Sequence, residues 1–227
     1  MSKEEYKSRV YTDRPAYADY DSAAKFQAIQ SIIAKRLKEH PHAICSYSGG
    51  ADSDIMIDLI ERTREIFSLP PVDYVFFNTG LEMKATKDHV RATAEKYGVK
   101  IRECRPKTNI VTASRKYGLP FVSKIMSAGL EGWQKKNIPL SIAEEYDKAW
   151  YKEKYNIRYS DAYEVYGLTR TGCCGCPISY KAVDDLELIR PYEPTLVKAA
   201  WNVFGKSYRY RQRYNEYKAR RRAEERI

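Results

Sequence analysis

The sequence predicts an α/β protein, a parallel sheet with flanking helices, followed by a mainly helical C-terminal region. Three observations carry that prediction. Short apolar, β-branched or aromatic runs alternate with helical periodicity through the first half of the chain. The links between them are short, which fits strand–helix–strand crossovers and hence parallel strands. Glycine-bearing turns follow two of the strands, where α/β sheets bind their ligands.

Residues 1–20 are polar and Tyr-rich and read as an arm or irregular lead-in. Phe26, Ile29, Ile33 and Leu37 recur at spacings of three or four, which predicts a helix over 22–40, stopped by Pro41. Residues 43–47 form a short strand that runs into Ser48-Gly49-Gly50-Ala51-Asp52-Ser53. Ile55, Met56, Leu59, Ile60 and Ile66 then mark a helix. Val72–Phe77 is the clearest strand, after Pro70-Pro71, and it ends in Asn78-Thr79-Gly80. A helix over 82–97 ends at Gly98, and 99–102 forms a third strand. Helices are expected at 108–117, 121–136, 141–155, 181–189 and 194–204, with 156–180 irregular. Two domains are expected: a nucleotide-binding α/β domain with its N-terminal arm over 1–160, and a cysteine-bearing, basic helical region over 161–227.

The chain has 227 residues, 43% hydrophobic and 31% charged, the composition of a globular protein. No apolar run approaches the roughly 20 residues of a membrane span, and MSKEEYKSRV has no apolar signal core. The expectation is a soluble cytoplasmic protein. A formal charge of +10 points to an anionic partner. Twenty tyrosines leave packing, hydrogen bonding and base stacking all open. Five cysteines, an odd number with three crowded at 173–176, argue for metal or redox chemistry over a disulfide framework.

The loop at 48–53 is the strongest local signal. Adjacent glycines let backbone N–H groups approach an anion, serine hydroxyls add donors, and the following helix offers its positive end. Asp52 beside phosphate either orders the loop or helps hold Mg²⁺. Ser-Gly-Gly-x-Asp-Ser after a strand resembles the PP-loop of the N-type ATP pyrophosphatases. Asn78-Thr79-Gly80-Leu81-Glu82 resembles a segment of the phosphoadenosine phosphosulfate (PAPS) reductase family. So do Gly118–Lys124, Arg170-Thr171-Gly172-Cys173 and Cys176-Pro177. The motifs occur in the family's order over roughly 40–205, as in its small bacterial and phage members.

The resemblance implies a HUP-type sheet that binds ATP or a PAPS-like adenine nucleotide. Ser46, Ser48, Gly49, Gly50, Asp52 and Ser53 would hold phosphate or sulfate, with Asp52 and Ser53 as the catalytic candidates. Asn78, Thr79 and Gly80 would border the nucleotide, Asn78 standing where an Asp is usual. Glu82 is either a metal-linked acid or the cap of the 82–97 helix. No cysteine follows Cys176, so the C-terminal nucleophile of assimilatory PAPS reductases has no counterpart here. Ala51 occupies a position that is Lys in many sulfur-handling members and apolar in amidating synthetases. The implied chemistry is adenylyl or sulfur transfer with cleavage between the α and β phosphates. The alternative is thioredoxin-type PAPS reduction using a cysteine of the 173–176 cluster.

Cys173 and Cys176 have the spacing of a two-thiolate knuckle, and Cys104 is the candidate third ligand of an iron–sulfur cluster or zinc site. A redox or persulfide-carrying pair and plain structural thiols are the other readings, and Cys45 reads as core. Lys107, Lys124 and Arg170 are candidate substrate-binding cations, with solvated surface as their bland reading. Over 206–226, nine Lys/Arg stand against three Glu, interleaved with tyrosines. That tail could bind tRNA or DNA, or form a terminal helix packing its tyrosines on the domain. A nucleic-acid-binding protein with a nucleotide-sensing loop is therefore the rival class. Other expected partners are a sulfur-donor protein and a second copy of the chain, with no membrane.

Overall fold

The computed structural model describes residues 19–108, 112, 113, 116, 143–177, 179 and 181–224. Most of the expected lead-in, the expected helix 121–136 and Lys124 lie outside the described residues. The chain forms two compact units. The first holds described residues 19–77, 89–103 and 143–160; the second holds 78–88, the described part of 104–116, and 161–224.

The first unit opens with α1 (Ser22–Glu39), whose N-cap Asp21 accepts a hydrogen bond from the Ala24 N–H at 2.7 Å. β1 (Ile44–Ser46) leads into α2 (Ala51–Phe67), and β2 (Asp73–Phe77) into α3 (Lys84–Tyr97), which passes from the second unit into the first. β3 is Ile101–Cys104. The strand order is β1-β2-β3 in a parallel sheet, with Ile44 opposite Asp73 and Ser46 opposite Val75. The α/β reading therefore holds, and the loop 47–50 leaves the carboxyl end of β1 as expected. Phe26, Ile29, Ile33 and Leu37 of α1 pack with Ile55, Leu59, Tyr74, Phe76 and Val90 in one apolar core.

That core contains a polar seam. Asp54, Asp58 and Glu61 lie four and three residues apart, on one side of α2. Asp54 Oδ1 accepts from Tyr47 and lies 2.9 Å from His89 Nε2. Asp58, 1% exposed, accepts from Arg62 Nε at 2.6 Å, Tyr97 at 2.8 Å and Tyr151 at 2.7 Å. Glu61 accepts from Tyr74 and Arg64. Burial first, and then the facing carboxylates, push the phenols of Tyr47, Tyr74, Tyr97 and Tyr151 well above their ordinary range. They remain donors at any working pH. Four of the twenty tyrosines thus hydrogen-bond the acids of this seam.

The predicted helix 141–155 is shorter, α4 (Glu145–Lys154), because the Glu144 N–H is capped by Asp147 Oδ2 at 2.8 Å. Asp147 also accepts from Ser22 at 2.6 Å and from buried Lys25 at 2.9 Å, tying α4 to α1. Burial pushes the Asp147 carboxyl up, but these hydrogen bonds outweigh it and hold the group below its usual range.

In the second unit, α5 (Asp161–Glu164) interrupts the segment expected to be irregular. α6 (Ala182–Ile189) packs with α7 (Pro194–Glu224) around Leu81, Met83, Cys174, Leu186, Val197 and Phe204. α7 continues twenty residues beyond the expected end at 204 as one helix. No described helix is long and apolar enough to cross a membrane.

Replacing Asp58 with Ala leaves the buried Tyr151 hydroxyl and the half-buried Tyr97 hydroxyl without this acceptor, while the half-exposed Arg62 turns to water, so it is expected to destabilise the protein by about 2–4 kcal/mol. Tyr151→Phe removes only one of the three bonds and is expected to cost about 1 kcal/mol. Urea unfolding of the two variants measures both.

Candidate functional site

The loop of the first unit is ordered by its own serines. Gly49 sits at φ 70°, a conformation that favours glycine, and turns the chain back on itself. The Gly50 N–H donates to Ser53 Oγ at 3.0 Å and to Ser48 Oγ at 3.3 Å. Ser53 Oγ in turn donates to the Gly50 carbonyl at 2.7 Å, and the two serine oxygens are 3.1 Å apart. α2 begins immediately, with the Asp54 N–H on the Gly50 carbonyl at 3.0 Å. A helix start of this kind leaves first-turn N–H groups with no carbonyl inside the helix, the ordinary basis of anion binding there.

Asp52 is 69% exposed and pairs with Lys148 Nζ of α4 at 2.9 Å. Lys148 is itself mostly covered, 15% exposed, and also bonds Glu145 at 2.9 Å. Burial lowers its pKa, but the two carboxylates outweigh this and raise it, so the side chain stays charged. The loop thus has a cation at Asp52, supplied from another element. Lys148 was missed in the sequence because nothing marks one lysine of a charged helix 96 residues from Asp52.

The second unit binds the Asn78–Glu82 segment to the cysteines. Asn78 is buried; its N–H donates to the Cys104 carbonyl at 2.9 Å, and its Oδ1 accepts from the Gly80 N–H at 2.8 Å. Glu82 pairs with Cys173 in an isolated antiparallel bridge, and the Cys174 N–H donates to the Leu81 carbonyl at 2.9 Å. These backbone bonds bring the Cys173 thiol 3.1 Å from Thr79 Oγ1 and 3.6 Å from Glu82 Oε1, and Thr79 donates to Glu82 at 2.9 Å. Glu82 therefore does not cap the following helix. Glu193 does, accepting from the Lys84 and Ala85 N–H groups at 2.9 and 3.3 Å.

Burial, with Glu82 nearby, pushes the Cys173 thiol up to about 11. Burial likewise raises Cys174 to about 12, while Cys45 is half-buried against the first unit's core. Gly175, at φ 62°, has no room for a side chain: a Cβ there would lie 2.5 Å from the Tyr208 hydroxyl. Among the described residues, no group of three or more His, Cys, Asp or Glu side chains could hold a metal ion. Among the described residues Cys104, Cys173 and Cys176 do not come together as one ligand set; the Cys173 thiol faces Thr79 and Glu82. The residues as placed do not fit an iron–sulfur or zinc centre. Lys107 and Arg170 are both exposed.

Residues 42–127 match the family model of the phosphoadenosine phosphosulfate reductase domain. No curated protein matches the chain in sequence. Among solved structures, PAPS reductase from Candida auris in its phosphate complex is similar, at 16% identity and TM-score 0.47, over 76% of this chain and 96% of that one. NH3-dependent NAD synthetase from Campylobacter jejuni is similar at 14% identity and TM-score 0.44, over 83% and 95%. The U34-tRNA thiolase NcsA from Methanococcus maripaludis, with its 4Fe–4S cluster, is similar at 12% and TM-score 0.42, over 82% and 80%.

A thiol raised to about 11 is almost wholly protonated at neutral pH. Alkylation of Cys173 by iodoacetamide, followed by mass spectrometry, is expected to accelerate about tenfold per pH unit from pH 7 to 10. Glu82→Gln removes the adjacent negative charge and is expected to speed alkylation at pH 8.

Proposed function

We propose that this chain, whose residues 42–127 match the family model of the phosphoadenosine phosphosulfate reductase domain, is an enzyme that binds ATP or a related adenylyl nucleotide. Its reaction is adenylyl or sulfur transfer. The observation that carries this reading is the serine-ordered loop with Lys148 held at Asp52. An exposed carboxylate is a weak partner for a lysine, worth about 0–1 kcal/mol. Phosphate oxygens arriving at the helix start are a stronger one, so Lys148 exchanges Asp52 for the nucleotide's leaving group. In ATP that group is pyrophosphate. The bond between the α and β phosphates breaks, the adenylyl group passes to an acceptor oxygen, and the loop and Lys148 stabilise the charge that develops on pyrophosphate. Asp52 is the loop carboxylate that would hold Mg²⁺ together with phosphate oxygens, where the ion would neutralise part of that charge.

The cluster of Cys173, Glu82 and Thr79 favours a second reading, sulfonucleotide reduction. In that reaction Glu82 accepts the Cys173 proton and the thiolate attacks the sulfonyl sulfur. The sulfur–oxygen bond breaks, releasing the adenosine bisphosphate. A dithiol reductant then frees sulfite and restores the thiol.

Incubation with ATP and Mg²⁺ is expected to yield AMP and pyrophosphate, resolved by chromatography. Lys148→Ala is expected to reduce the rate roughly 100-fold and Asp52→Ala to abolish it, while Cys173→Ser leaves it unchanged. Turnover of PAPS with a dithiol, lost in Cys173→Ser, supports the second reading instead. Turnover of neither nucleotide, with neither binding in calorimetry, overturns both.

A further inference from the structure

α7 changes character along its length. Val197, Ala200, Phe204 and Tyr208, spaced three and four apart, are buried in the second unit's core, and Tyr208 donates to the Gly175 carbonyl. No described residue after Tyr208 is buried, so about 24 Å of helix carries side chains on solvent. Over 206–224 the sequence has eight Lys/Arg against two Glu.

The exposed turns are not uniformly charged. At about 100° per residue, Tyr210, Tyr214 and Tyr217 fall on one face, opposite the side that carries Tyr208. They are 72%, 39% and 56% exposed. The rings of Tyr210 and Tyr214 lie nearly parallel, 6° apart with centroids separated by 6.5 Å, and Lys218 Nζ sits 4.8 Å from the Tyr214 centroid. Lys206, Arg209, Arg213 and Arg220 flank this aromatic row on one side; Arg211 and Lys218 flank it on the other. Gln212, Asn215, Ala219 and Ala223 occupy the far side, which carries no basic residue.

We propose that this face binds single-stranded nucleic acid, with the tyrosines stacking on unpaired bases and the flanking basic residues on the phosphates. Exposed aromatic rings set in a positive row are the two parts such binding requires. A lipid surface fits poorly, because residues 209–224 contain no Leu, Ile, Val, Met, Phe or Trp to enter it. A duplex leaves the rings unused, since its bases stack on one another. Nothing in this face distinguishes ribose from deoxyribose. The proposal is independent of the reaction at the loop.

The test is fluorescence anisotropy of the full chain with labelled 15-nucleotide oligouridine and oligothymidine, and with a 15-base-pair duplex, from 50 to 300 mM salt. Both single strands are expected to bind more tightly than the duplex. If only one of them binds, the face belongs to that nucleic acid. Y210A/Y214A/Y217A is expected to weaken single-strand binding at least about 100-fold with the salt slope unchanged, each lost stack contributing about fivefold or more. R209Q/R213Q/R220Q is expected to lower the slope of log affinity against log salt by about 2. All six positions are exposed, and unchanged unfolding midpoints confirm the folds. The proposal is overturned if no oligonucleotide binds at 50 mM salt. It is equally overturned if the triple tyrosine variant binds single strands as well as the parent, or if vesicles of anionic phosphatidylserine bind more tightly than either strand.

Discussion

Asp58 is the node on which the first unit depends. A carboxylate at 1% exposure survives in an apolar core only with its oxygens bonded, and three donors from three places do this. Arg62 comes from the next turn of α2, Tyr97 from the end of α3, and Tyr151 from α4. The same side of the helix repeats the arrangement at Asp54 and Glu61, with Tyr47 at the end of β1 and Tyr74 in β2. Apolar packing can slide by small amounts at little cost, whereas a buried carboxylate with directed donors cannot. The seam therefore sets the position of α2, and the loop that starts α2 takes its place from the helix.

This has a consequence for the loop chemistry. Tyr151 and Lys148 lie three residues apart on α4, so the helix that bonds Asp58 also carries the cation that reaches Asp52. The contact to the buried acid and the contact to the loop share one element. A cation on such a support can exchange an exposed carboxylate for an incoming anion without rebuilding the loop, since Ser48 and Ser53 hold the turn independently.

The second unit solves a different problem. The glycine at 175 and the bridge between Glu82 and Cys173 place a protonated thiol against a carboxylate and a hydroxyl. Three cysteines within four residues would suit a metal knuckle in another setting. Here the backbone pairing gives neighbouring thiols different surroundings: Cys174 is buried in the apolar core and Cys173 faces Glu82.

Periodicity and glycine placement alone determined the α/β class, the strand–loop–helix unit at 44–67 and the loop residues 48–53. Those features arise within a few residues of chain, where steric and hydrogen-bonding rules act locally. The acidic stripe Asp54, Asp58 and Glu61, flanked by isoleucines in a Tyr-rich chain, was also there to be read as a buried seam. Tertiary structure decided what local rules cannot reach. It brought Lys148 to Asp52, Glu193 to the start of α3, and Cys173 to Glu82. Each of these pairs residues about 90 to 110 positions apart, and such contacts form only when separate elements pack and buried polar groups must find partners.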